Sequence, residues 1–131
     1  MPISAADNKD AAVEPLLRDI LVSFVRIHLL HHASEAPVCG VEMIAELARH
    51  GYRIGPGTIY PTLHGLRDKG LLRDEEWIVA GKLRKYYRTT RAGNRALRLL
   101  RPRLRELVDE VLNRGQAPAS RPVPQKGQPQ P

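Results

Sequence analysis

Four side chains in the first third of the chain have the types that hold metal ions: His28, His31, His32 and Cys39. His28 and His32 are four apart and share one face of any helix they lie on. With Cys39 they offer nitrogen and sulfur donors of the kind zinc takes. No second cysteine and no carboxylate cluster completes the set, so the expectation is no metal and no cofactor. The histidines then read as the polar end of a buried helix. Cys39 is the single cysteine, which excludes an intrachain disulfide framework, and nothing adjacent in sequence would activate its thiol.

A second set points to polyanion chemistry. Tyr60, Thr62, His64 and Arg67 fall outside the apolar stripe of a helical pattern, and Lys82, Arg84, Lys85 and Arg88 crowd one short ribbon. Hydroxyls and imidazole can bond base edges, and guanidinium and ammonium groups neutralise phosphates. The 131 residues carry a formal net charge of +7, and between Arg49 and Arg105 fifteen Lys and Arg face four acids. Such an excess inside a folded segment favours a nucleic-acid partner. Composition otherwise fits a water-soluble domain, with no apolar run near the roughly 20 residues a membrane span needs. The N-terminus lacks the basic-then-apolar order of a signal peptide, so a cytoplasmic location and no membrane partner are expected.

The elements that must position these groups follow from periodicity. Residues 1–12 read as a flexible N-terminus. Val13 to about Ala33 reads as a long helix whose Leu16, Leu17, Ile20, Leu21, Phe24, Val25, Leu29 and Leu30 cover most of its circumference. A helix apolar nearly all round is buried on more than one side, which predicts its own domain on one face and a second subunit on the other. After a loop over 33–40, Gly40 to His50 reads as a short helix with the stripe Val41, Ile44, Ala45, Leu47, Ala48, a wet face of Glu42, Glu46 and Arg49, and Gly51 as its stop.

The next helix is predicted to begin at Gly57 or Thr58 and to run to Gly70, with Ile59, Leu63 and Leu66 inward. Pro61 then falls in the first turn, where the missing N–H costs little and the fixed φ stiffens the helical tip. Leu71–Trp77 and Leu83–Thr90 read as strands joined by a Val79–Lys82 turn, with Gly81 able to take positive φ. Arg91 to Asn113 reads as a last helix with a leucine seam (Leu97, Leu100, Leu104, Leu107, Val111), divided or kinked near Arg98–Pro102. Flanking that seam, Arg91, Arg95, Arg98, Arg101 and Arg105 form a stripe, expected to face Asp7, Asp10, Glu14 or Asp19 of a partner subunit. Residues 114–131, with five prolines and four glutamines, form no core and read as a disordered tail in which Arg121 and Lys126 add weak positive charge.

The fold class that results is mainly α with a small β-hairpin. It is a winged helix-turn-helix of order α-α-α-β-β-α spanning 13–90, followed by a C-terminal dimerisation helix at 91–113. At "GTIYPTLHGLRDKGLL" and "RKYYRTTRAG" the sequence resembles the PadR family of bacterial transcriptional regulators. The similarity lies in Thr58, Ile59, Tyr60, Pro61 and Leu63, in Leu66, Gly70 and Leu71, and in Tyr86 and Tyr87 followed by Thr90 and Gly93, and it covers roughly residues 21–112. The resemblance implies a homodimeric repressor bound to double-stranded operator DNA. Carried over, Thr58, Tyr60 and His64 would present to DNA from the recognition helix, Tyr60 as a phosphate contact. Arg53, Lys82 and Arg84 would touch backbone or minor groove. Dimerisation would use the first and last helices, through Leu17, Leu21, Phe24, Leu97, Leu100, Leu104, Leu107 and Val111. Thr89 departs from the family's apolar residue there. Some relatives sandwich flat drugs between tryptophans of the last helix. This chain has no aromatic residue there and its one tryptophan, Trp77, lies in the wing, so a small-molecule effector is unsupported.

Tyr86 and Tyr87 alternate faces, which predicts one in the core and one partly exposed. Trp77 reads as packing. The competing function is a winged-helix protein-interaction module without sequence-specific DNA binding. An enzyme is not expected: there is no phosphate loop and no acid–base pair at useful spacing.

Overall fold

The computed structural model describes residues 10–113, together with Pro124 and Gly127. The tail from residue 114 and the stretch before residue 10, Asp7 included, otherwise lie outside the described residues. The elements are α1 (Val13–Glu35), α2 (Gly40–Arg49), α3 (Pro56–Asp68), β1 (Leu72–Val79), β2 (Lys82–Thr89) and α4 (Arg91–Val108), followed by a π-helical turn at Asp109–Asn113. This is the predicted order. Residues up to Arg98 make one compact unit, and the chain from Leu99 a second.

The core of the first unit draws on every element. Val25, Leu29, Leu30 and Ala33 of α1 meet Met43 and Leu47 of α2, Ile59, Leu63 and Leu66 of α3, Leu72 and Tyr87 of the hairpin, and Leu97 of α4. Burying each Val, Leu, Ile or Met among them stabilises the fold by about 1.5–3 kcal/mol. The N-terminal half of α1 is different: Leu16, Leu17, Ile20, Leu21 and Phe24 are all exposed.

The α2 stripe differs from its expected phase. Gly40, Met43 and Leu47 are buried with Ile44 packed beside them, while Val41, Ala45 and Ala48 are exposed. The reason is Gly40. A Cβ there would lie 2.5 Å from Cε1 of Tyr60, so the helix approaches the tyrosine ring through a residue without a side chain. Glycine carries no apolar signal, and the phase read from Val41 is rotated accordingly. The loop before α2 also does more than connect. Val38 and Tyr87 exchange backbone hydrogen bonds of 2.9 and 2.7 Å, which ties the loop to β2.

α3 starts earlier than predicted. Pro56 takes the first helical position, so Pro61 is the sixth residue and lies beyond the first turn. Its ring removes the N–H that would have reached the Gly57 carbonyl. Gly57 is exposed, so water can satisfy that oxygen. Gly51 and Gly70, both at positive φ, close α2 and α3.

β1 and β2 pair antiparallel from Leu72↔Thr89 to Val79↔Lys82, leaving Ala80 and Gly81 as a two-residue turn. Both take positive φ, 52° and 77°, the arrangement that matches strand twist and that alanine adopts only under strain. One of the two tyrosines lies in the core as expected, Tyr87, but Tyr86 is buried too, with Trp77 stacked on it at 4.5 Å between ring centroids. Thr90 begins α4 rather than ending β2: its hydroxyl donates to the Gly70 carbonyl at 2.6 Å and accepts the Gly93 N–H at 3.1 Å. Gly93 faces the Leu71 carbonyl with no room for a Cβ. Thr89, the departure from the family pattern, is half-buried and donates its hydroxyl to Asn94 at 2.8 Å.

The last helix does not divide near Arg98–Pro102. α4 runs through Pro102, and the winding changes only at Asp109. Pro102 forfeits one N–H, aimed at the carbonyl of Arg98, and both residues are exposed, so water can replace the bond. In the unit from Leu99, residues Leu99, Leu107, Val108, Val111 and Leu112 are exposed.

Candidate nucleic-acid interface

The site is built on α3 and the hairpin. Ile59, Leu63 and Leu66 anchor α3 in the core, and its outer side presents exposed Thr58 and Pro61 beside half-buried Thr62 and His64. At the tip, Gly55 accepts the N–H groups of both Thr58 and Ile59, and the Gly57 N–H has no backbone partner among the described residues. A helix N-terminus of this kind favours negative charge. The Thr62 hydroxyl donates to the Thr58 carbonyl at 2.7 Å, so it meets a ligand as an acceptor.

Tyr60 and Arg67 are more engaged than their spacing foretold. The Tyr60 ring packs on Gly40 and on the core, and its centroid lies 6.4 Å from that of His64. Arg67 bridges α3 to β1: Nη1 meets Asp74 at 3.0 Å and Nε meets Asp68 at 3.1 Å. Those bonds raise the Arg67 pKa further above its ordinary value and hold the Asp74 carboxyl below its own, with Lys85 adding at 3.7 Å. Burial pushes the phenols of Tyr86 and Tyr87 up.

The hairpin sorts its cations. Lys85 and Arg88 pair with Asp74 and Glu75. Lys82, at the turn, and Arg84, across from Trp77, have no ion pair among the described residues, and neither has Arg53 just before α3. Beside these cations Ile78 and Leu83 pair across the strands with both side chains exposed. Sequence reading missed this apolar pair.

The metal-type residues are regrouped. Cys39 stands apart, buried at the start of α2, where its N–H and thiol both donate to Glu42, at 3.3 and 3.2 Å. His28 and His32 instead meet His50, which follows α2, and Glu46 of α2 lies beside His32 and His50 at 3.8 and 3.5 Å. The signal missed was His50, 22 residues from His28 and at no local spacing from it. Burial, followed by the neighbouring imidazoles of His50, His32 and His31, lowers the His28 pKa, with Glu46 opposing. His31 turns outward to Glu35 at 3.0 Å.

A family model described as "Transcriptional regulator PadR-like family" matches residues 29–99. The chain belongs to the PadR-like family of transcriptional regulators. The matched segment opens in the buried half of α1, takes in both helices of the turn and the whole hairpin, and stops within α4. Over 96 residues, 73% of this chain and 90% of the relative, the regulator is 49% identical to the Mycobacterium tuberculosis protein "Transcriptional regulator Rv3488". Its fold is similar to that of a PadR family transcriptional regulator from Eggerthella lenta, with a TM-score of 0.68 at 31% identity over 85% of this chain and 98% of the other. A PadR-like transcriptional regulator from Bacillus cereus gives a TM-score of 0.66 at 25% identity, covering 79% and 99%. No helix among the described residues of this PadR-like regulator is long and apolar enough to cross a membrane.

Proposed function

We propose that this regulator is a cytoplasmic, non-enzymatic repressor that binds an inverted-repeat operator as a homodimer. The α3 helix of each copy enters the major groove, and the β1–β2 hairpin lies along the adjacent backbone, with half-sites about one helical turn apart. The observation that carries this reading is the pairing of an exposed, proline-stiffened helical tip with the cations Arg53, Lys82 and Arg84, which have no ion pair among the described residues. Thr58, Thr62 and His64 are the groove-facing candidates. Tyr60 and Arg67 act through position: Tyr60 seats α3 on α2, and Arg67 fixes α3 to the hairpin. Either can still offer an outer atom to a phosphate. The dimer joins the exposed apolar half of α1 to a partner's last helix, through Leu17, Leu21 and Phe24 on one side and Leu100, Leu104, Leu107 and Val111 on the other. Leu97 serves the core of its own chain.

The test is a salt titration of binding to duplex fragments selected from the host genome. Lys82→Ala and Arg84→Ala should each weaken binding and flatten the slope of log affinity against log salt by about 1. Unaltered affinity and slope in both variants would remove the wing from the interface. The exposed pair Ile78 and Leu83 favours a second reading, a protein-interaction module. Failure of the wild-type chain to bind any duplex at low salt would select it.

A further inference from the structure

We propose that His28, His32 and His50 form a binding site for a divalent transition-metal ion of the zinc type, with three imidazole nitrogens as donors. The ligating nitrogens of the three histidines all lie within 4.8 Å of one another. His28 and His32 stand one turn apart on α1, His50 follows the end of α2, and Glu46 is four residues before it. Zinc bonds of about 2.0–2.2 Å in a tetrahedron place donor atoms roughly 3.3–3.5 Å apart. Oε1 of Glu46 lies beside two of the histidines, 3.5 Å from Nε2 of His50 and 3.8 Å from Nε2 of His32. Three imidazole donors suit zinc, cobalt or nickel and are poor for magnesium or calcium.

The surroundings favour a built site over a solvated charge cluster. His28 and His32 are half-buried, with the His28 and His50 rings stacked at 5.0 Å and Tyr52 set edge-on to His28 at 5.3 Å. Arg49 holds the other oxygen of Glu46, Oε2, at 2.6 Å, which leaves Oε1 turned to the histidines. Such outer hydrogen bonds orient metal ligands. An ion bound here would tie the buried half of α1 to α2, the helix on which Tyr60 seats α3. A second grouping, His31, His32 and Glu35, lies on α1 alone and shares His32.

Titration of the full chain with cobalt(II), followed by displacement with zinc, tests the assignment. The expected result is one ion per chain with the visible absorption of a tetrahedral cobalt site. His28→Gln and His50→Gln should each weaken binding at least tenfold, Glu46→Gln should weaken it by a smaller factor, and His31→Gln should leave it unchanged. His50 is exposed, so its variant keeps the fold, as far-ultraviolet circular dichroism would verify. The site falls if the wild-type chain shows no saturable binding or if His50→Gln binds like wild type. Loss of binding in His31→Gln would move the ion to the other grouping and overturn this one.

Discussion

The two halves of α1 are made of the same kinds of residue and meet opposite surroundings. In the C-terminal half, Val25, Leu29, Leu30 and Ala33 disappear into the core. In the N-terminal half, Leu16, Leu17, Ile20, Leu21 and Phe24 remain in water within a single chain. Hydrophobicity alone does not tell them apart. What separates them is the rest of the fold: α2, α3, the hairpin and Leu97 supply enough apolar surface to bury one half, while the other is only partly covered, by Tyr52 and Ile54. A contiguous exposed patch of this kind marks an interaction surface. The unit from Leu99 carries a second such patch in Leu107, Val108, Val111 and Leu112.

Substitutions can break this contrast if it is wrong. Leu29→Ala removes a fully buried side chain and should cost about 2–5 kcal/mol in urea unfolding. The double variant Leu17→Asp, Leu21→Asp should leave each chain folded and abolish the dimer in sedimentation. If it destabilised each chain as much as Leu29→Ala, the N-terminal half would be core after all. A smaller effect sharpens the boundary. Thr90→Ala should cost about 1 kcal/mol, since the hydroxyl caps α4 and bonds to Gly70, and should not alter the dimer. Charge reversal at Arg98 and Arg101 should weaken the dimer at low salt if the arginine stripe faces a partner's acids, and an unchanged dimer would remove that pairing.

The smallest effect concerns acid. Arg67 holds the Asp74 carboxyl below its ordinary 3.8, so the pair contributes stability that is present above that pH and is lost as pH falls through the folded value. Asp74→Asn should therefore flatten the loss of stability below about pH 4 and lower stability at neutral pH, because Arg67 then loses its charged partner. Equal acid sensitivity in both proteins would show that the pair does not link folding to pH.

Much of this architecture was legible in the sequence because it rests on local rules. Periodicity located all four helices, and Ala-Gly between alternating strands located the wing turn. What stayed hidden depends on approach in space. Gly40 sets the phase of α2 through Tyr60, a contact between helices that no pattern within α2 encodes. Arg67 looked free by helical position, yet Asp74 lies seven residues on and across a turn. His50 joined His28 and His32 only when α2 packed on α1. The cations Lys82 and Arg84 were named from sequence, but that they have no ion pair among the described residues while Lys85 and Arg88 are paired follows only from strand register.

The most direct test of the account is the number of chains on one duplex. Sedimentation of the full chain with a duplex of one inverted repeat, recovered from genomic fragments, should show two copies of the 14.7 kDa chain per duplex. The Leu17→Asp, Leu21→Asp variant should show little binding at the same concentration. One wild-type chain per duplex, or full binding by that variant, would contradict the reading of the exposed half of α1 as the surface that joins two DNA-binding copies.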